Sequence, residues 1–252
     1  MKVLVNNQLI EYRDEGSGRV LLLLHGWGND LATFDQMAAH LANRFRVVRF
    51  DFPGFGQSPR PADDWAVQDY ARLTGDFMKK LKLTDLEAVI CHSFGGRVVI
   101  RAVSHGFINP RKIILIGAAG VKPLASFKKS FYKGVAKVGK LATSLPLVNR
   151  AQPALRRRLH ASAGSTDYLQ AKQMQPIFLK VIVEDLLPEV SSLTQPTLLV
   201  WGRDDTVTPL ADANLILEQL ANGRLVTIDD AGHFVYVDAF NRVMREIDGF
   251  LV

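Results

Sequence analysis

Ile90-Cys91-His92-Ser93-Phe94-Gly95-Gly96 is the stretch that decides the fold. It follows a short apolar run, 86–91, and opens a segment with helical spacing, 94–105. A chain that passes from strand to helix through a serine has to turn sharply there, so the flanking residues must be small and the hydroxyl stands clear of the sheet. Gly95 meets that demand in full. Cys91 is only approximately small, so the pattern is C-x-S-x-G, one position away from G-x-S-x-G. In isolation a serine at such a junction is more often a helix N-cap than a nucleophile. The rest of the chain has to decide between the two.

Outward from this point two patterns alternate. Apolar runs at 20–24, 45–50, 86–91, 112–117, 197–201 and 225–228 have little polar interruption, which suits strands covered on both faces. Between them, 65–81, 94–105, 211–220 and 237–251 carry helical spacing. Strand and helix in alternation predict an α/β fold with a mostly parallel sheet built from right-handed crossovers. Residues 2–6 and 8–13, around Asn6-Asn7, form an antiparallel hairpin at its edge. The alternation stops at 120–193, where the text is basic, helix-forming and interrupted by Pro123, Pro146, Pro153, Pro176 and Pro188. This segment reads as a helical cap (120–193) inserted between two parts of a core, 1–119 and 194–252.

The 252 residues are 48% hydrophobic and 22% charged, the composition of a globular protein with a sizeable core. One cysteine excludes an intramolecular disulfide or a multi-cysteine metal site and favours a reducing compartment. The opening MKVLVNNQLIEY lacks the apolar core of a signal peptide, and the longest apolar stretch, 113–121, falls short of a membrane span. The expected location is cytoplasmic. Net charge is +6, yet the basicity is local: 121–185 carries 12 Lys+Arg against 3 Asp+Glu, and the remainder 19 against 22. Without a recognition motif, nucleic acid is not an expected partner.

Ser93 needs a base and an orienting acid to become nucleophilic. After the run ending at Trp201 comes Gly202-Arg203-Asp204-Asp205-Thr206-Val207-Thr208-Pro209, and after the last run comes Ala231-Gly232-His233-Phe234. Both lie on loops at the carboxyl edge of the sheet, where open α/β proteins build their sites. Directly after 20–24 stands His25-Gly26-Trp27-Gly28, whose glycines allow close backbone approach. The N–H groups of Trp27 and Phe94 are the candidate oxyanion donors.

Together, HGWG at 25–28, DFPGFGQS at 51–58, CHSFGG at 91–96, WGRDD with Pro209 at 201–209 and AGHF at 231–234 resemble the α/β-hydrolase superfamily. The resemblance runs from residue 20 to 234, outside the cap, and implies an eight-stranded, mostly parallel sheet flanked by helices. It implies Ser93 as nucleophile, His233 as general base and then acid, and Asp205 as the acid, with Asp204 its adjacent competitor. It gives His25 a structural role in the oxyanion loop, and Asp51 a structural turn with no chemistry. HGWG with DFPGFG is further similar to pimeloyl-carrier-protein methyl ester esterases, from which the C-x-S-x-G elbow departs.

The expected activity is therefore cofactor-free, metal-free serine hydrolysis of a small-molecule carboxylic ester. Carbon–carbon hydrolysis or lactone opening on the same triad is the alternative, and a non-catalytic small-molecule-binding protein on this scaffold is the contrasting class. Cys91 is a poor nucleophile candidate, because an elbow centred there would draw the reactive group back into the strand. His92 reads as packing, and His40, His105 and His160 as surface residues. The basic cap admits three readings: a solvated face, steering of an anionic substrate or acidic protein, or contact with an anionic membrane surface. The third rests on Lys128, Lys129, Lys133, Lys137 and Lys140 beside Phe127, Phe131, Val135 and Val138.

Overall fold

The computed structural model describes residues 1–122 and 165–252. Its eight strands are β1 (Lys2–Val5), β2 (Gln8–Glu15), β3 (Val20–Leu24), β4 (Arg46–Phe50), β5 (Leu86–His92), β6 (Lys112–Ile116), β7 (Thr197–Gly202) and β8 (Gly223–Ile228). They form one sheet in the order β1-β2-β4-β3-β5-β6-β7-β8. Neighbours from β4 to β8 run parallel, while β1 and β2 are antiparallel. The carboxyl ends of β3, β5, β6, β7 and β8 therefore share one edge. In the β1–β2 hairpin Val5 pairs with Gln8, and Asn6 and Asn7 take φ 47° and 63°. A two-residue turn with both φ positive matches the twist of the strands it joins, and asparagine tolerates it.

The central strands are hidden on both faces, β3 and β5 being buried along their whole length, whereas the edge strand β8 is half-buried or exposed up to its last residue, Ile228. On one face, Leu21, Leu23, Ile90, Ile116 and Val200 pack into a single cluster with Phe34, Met37, Val243 and Ile247. Each such side chain, fully buried, contributes roughly 1.5–3 kcal/mol. The helical partners are a 3-10 turn, Leu31–Phe34, with α1 (Asp35–Leu41), and the last helix. Helical spacing did not pick out the first two; Asp30 starts them by accepting from the Ala32 N–H at 2.8 Å. The other crossovers are α2 (Val67–Lys80) and α3 (Phe94–Ser104).

The chain divides into two compact units, 1–122 with 180–252, and 123–179. The described part of 120–193 contains α4 (Ser165–Val183) and α5 (Leu187–Val190). Pro188 stands in the first turn of α5, where a missing N–H costs nothing. Pro176, read as a break, lies inside α4. The basic run 128–140, with Pro146, Pro153 and His160, falls outside the described residues. Next come α6 (Leu210–Gln219), α7 (Val235–Asp238) and α8 (Phe240–Leu251). The expected helix 237–251 is thus interrupted at Ala239, φ −134° and ψ 47°. Just before the interruption, the Asp238 carboxylate accepts the Gly232 N–H at 2.9 Å, fastening the loop that carries His233.

Candidate active site

β5 ends at His92 and α3 begins at Phe94, so Ser93 carries the whole reversal, with φ 49° and ψ −111°. For a residue with a Cβ this lies outside the ordinary regions and costs roughly 1–3 kcal/mol. Its surroundings hold it there: Ser93 N–H donates to the Ile116 carbonyl at 3.2 Å, and its carbonyl accepts from the Gly96 and Ala119 N–H groups at 2.9 Å. The N-cap reading fails, since the side chain makes no capping hydrogen bond. Ser93 is half-buried. A Cβ on Gly95 would meet the Leu24 carbonyl oxygen at 2.4 Å, so only glycine lets α3 start against the end of β3. The Cys91 thiol is fully buried, 3.6 Å from the Ile114 carbonyl, and burial raises its pKa far above the usual thiol range. That keeps it from forming the reactive thiolate.

Asp205, not Asp204, reaches the histidine. Its side chain is sealed from solvent, with Oδ2 2.9 Å from His233 Nδ1. Its Oδ1 accepts from the Val207 and Thr208 N–H groups at 2.8 and 2.9 Å. Asp204 is exposed, and its backbone N–H donates to the Ala231 carbonyl. The Thr208 hydroxyl lies 2.8 Å from Asp205 Oδ2, 3.0 Å from the Gly117 carbonyl and 3.2 Å from His233 Nδ1. Its single proton goes to one of the two acceptors, and its oxygen accepts from the ring. Because Nδ1 faces a carboxylate, the neutral ring carries its proton there and leaves Nε2 as a lone pair, the form a general base needs.

The two loops approach closely because β7 ends in Gly202, where a Cβ would stand 2.3 Å from both the Ala231 and Gly232 carbonyl oxygens. On the other side, Ser93 is bonded to Ile116, and a Cβ on the next residue, Gly117, would lie 3.5 Å from His233 Nδ1. The end of β6 thus adjoins both the Ser93 backbone and the His233 ring. Among the described residues the Ser93 hydroxyl has no hydrogen-bond partner.

His25 is fully buried, its Nε2 accepting the Phe52 N–H at 3.0 Å and its Nδ1 donating to the Gly26 carbonyl at 2.8 Å. Burial lowers its pKa to about 4, so the ring stays neutral and serves as a tie between the 25–28 loop and the 51–58 turn. Asp51 makes a second tie: its carboxylate accepts from Leu31 and Gln57 N–H groups, both at 2.7 Å. Burial pushes the Asp51 pKa up to about 6. Beside them an aromatic chain runs edge to face from Phe55 to Trp27 (4.8 Å between centroids), Phe94 (5.2 Å), Tyr70 (5.1 Å) and Trp65 (5.0 Å).

Reading the sequence missed Thr208, although an aspartate capping the N–H groups two and three residues on is a recognisable turn. It also missed Tyr70 and Trp65, for which no local signal exists. His40 and His105 are exposed as expected, but both have distant partners: Asp248 at 2.8 Å, 208 positions away, and Glu189 at 3.8 Å. Among the described residues no three His, Cys, Asp or Glu side chains come together as metal ligands would. No described helix is long and apolar enough to cross a membrane.

A family model described as the alpha/beta hydrolase family matches residues 21–246, and the chain belongs to that family. The chain is 25% identical to a pimeloyl-[acyl-carrier protein] methyl ester esterase of Nitrosomonas europaea, over 89% of this chain and 92% of that one. It is 25% identical to a 2-hydroxymuconate semialdehyde hydrolase of Pseudomonas sp. (strain CF600), over 94% and 88%. Among solved structures, the enol-lactonase from Burkholderia xenovorans LB400 superposes with a TM-score of 0.84 at 20% identity, covering 100% of this chain and 99% of that one.

Proposed function

We propose that this α/β hydrolase cleaves carboxylic esters through an acyl-enzyme. Ser93 attacks the carbonyl as His233 Nε2 removes its proton, and the Trp27 and Phe94 N–H groups receive the oxyanion. His233 then returns the proton to the leaving alcohol and activates the water that frees the acid. Asp205 keeps the imidazole in one tautomer throughout. The observation that carries this reading is the buried Asp205 carboxylate, with both oxygens occupied by donors, 2.9 Å from His233 Nδ1. Such an acid is held to orient a ring, since it has no freedom to do anything else. The strained backbone at Ser93 supports the reading independently.

A second reading, carbon–carbon or lactone hydrolysis on the same triad, is favoured by two of the similar proteins, named as a semialdehyde hydrolase and an enol-lactonase. Methyl esters, the substrate class in the named esterase's name, are the first substrates to try. The test of the site is common to both readings. A fluorophosphonate should label Ser93, and Ser93→Ala should lower p-nitrophenyl acetate turnover by about 10⁴-fold or more. Unchanged turnover in that variant defeats the assignment.

A further inference from the structure

His92, which the mechanism above does not use, is a fully buried imidazole wedged between two loops of the site. Its Nε2 lies 3.0 Å from the carbonyl oxygen of His233. A carbonyl only accepts, so the ring proton sits on Nε2, and Nδ1 is a buried lone pair with no hydrogen-bond partner. Nδ1 faces the oxyanion loop, where a Cβ built on Gly26 would stand 2.9 Å from it. The rings of His92 and His233 pack with centroids 4.6 Å apart, and those of Phe234 and Tyr236 lie at 5.0 Å from His92. An apolar ring would fill this space without burying an unpaired nitrogen, so packing alone does not account for a histidine here.

We infer that His92 is a positioning residue for His233, its Nε2–H holding the His233 backbone carbonyl while its ring spans to Gly26 of the oxyanion loop. The inference rests on His233 being the general base. Desolvation, with the neighbouring His233, holds the His92 pKa well below the ordinary histidine range. No second positive charge therefore faces the His233 ring when it takes up a proton.

Two amides that differ by one methylene test this. In His92→Gln the amide Nε2 takes the place of the imidazole Nε2 and donates to the same carbonyl. In His92→Asn the amide ends where Nδ1 was and falls short. With p-nitrophenyl acetate, His92→Asn should lose about 10–100-fold in kcat with KM within about twofold, and His92→Gln should stay within about threefold of the parent. His92→Phe, which keeps a ring but no donor, should lose as much as Asn and replaces it if Asn does not fold by circular dichroism. Equal turnover of the Gln variant and its comparator, or a loss confined to KM, overturns the inference. Ser93→Ala and His233→Ala in the same assay separate the two levels. If they retain turnover the catalytic reading itself fails, and if they lose it while Gln and Asn match, only the positioning role falls.

Discussion

Asp204 and Asp205 are chemically identical neighbours whose environments have nothing in common. Asp205 has its side chain shut from solvent and bonded to Val207, Thr208 and His233, while Asp204 points outward. An amide at 205 would place an N–H where a carboxylate oxygen now accepts, reversing the tautomer of His233. Asp205→Asn should therefore lower kcat by roughly 10⁴-fold and Asp204→Asn by less than about threefold, measured on one ester under one set of conditions. Comparable losses at both positions would show that the buried carboxylate is not the orienting acid. The same contrast separates Ser93, whose backbone is strained, from any serine serving as an ordinary cap.

At the scale of elements, the site depends on how closely chain ends approach. Gly202 allows the end of β7 to touch the backbone before His233, with carbonyl oxygens only 2.3 Å from where a Cβ would be. Backbone cannot yield as a flexible side chain can. Gly202→Ala should thus cost about 1–3 kcal/mol and also reduce kcat, because it parts Asp205 from His233. Gly249, exposed in α8 with nothing within 4 Å of a Cβ, is the control. Gly249→Ala should raise the melting temperature slightly, by about 0.5–1 kcal/mol of stability, and leave turnover unchanged. Thermal melts and kcat on the same preparations read both outcomes.

At the scale of the whole molecule, two pairs of buried or half-buried groups respond to acid in opposite senses. His25, with a pKa of about 4, and His92, well below 6.5, stay neutral in the fold, so their contribution is complete above pH 6.5 and is lost as pH falls toward 4. Asp51 and Asp212, each raised by burial to about 6, act in the other sense: their contribution is complete below about 4 and is lost as pH rises through 6. The pairs offset each other across this window. Asp51→Asn removes one member, so its stability should fall more steeply than the parent's between pH 6.5 and 4. The difference in slope, on the order of 2–3 kcal/mol across the window, should be visible in melting temperatures. Parallel curves would mean that the Asp51 carboxyl does not titrate in that range.

Most of the architecture was legible in the chain alone. The runs at 20–24 and 112–117 became β3 and β6 nearly residue for residue, because strands buried on both faces leave an uninterrupted apolar signature. The pairing of Asp205 with His233 and the sharp turn at Ser93 were legible too, since these residues stand beyond strands at one edge of the sheet. Tertiary structure alone decided that Thr208 joins Asp205 and His233, that His92 spans two loops, and that His40 pairs with a residue 208 positions away. The physical reason is one of range. Periodicity and turn chemistry act over a few residues and are written locally, whereas burial and hydrogen-bond partnership depend on which distant chain segments the sheet brings to a common edge.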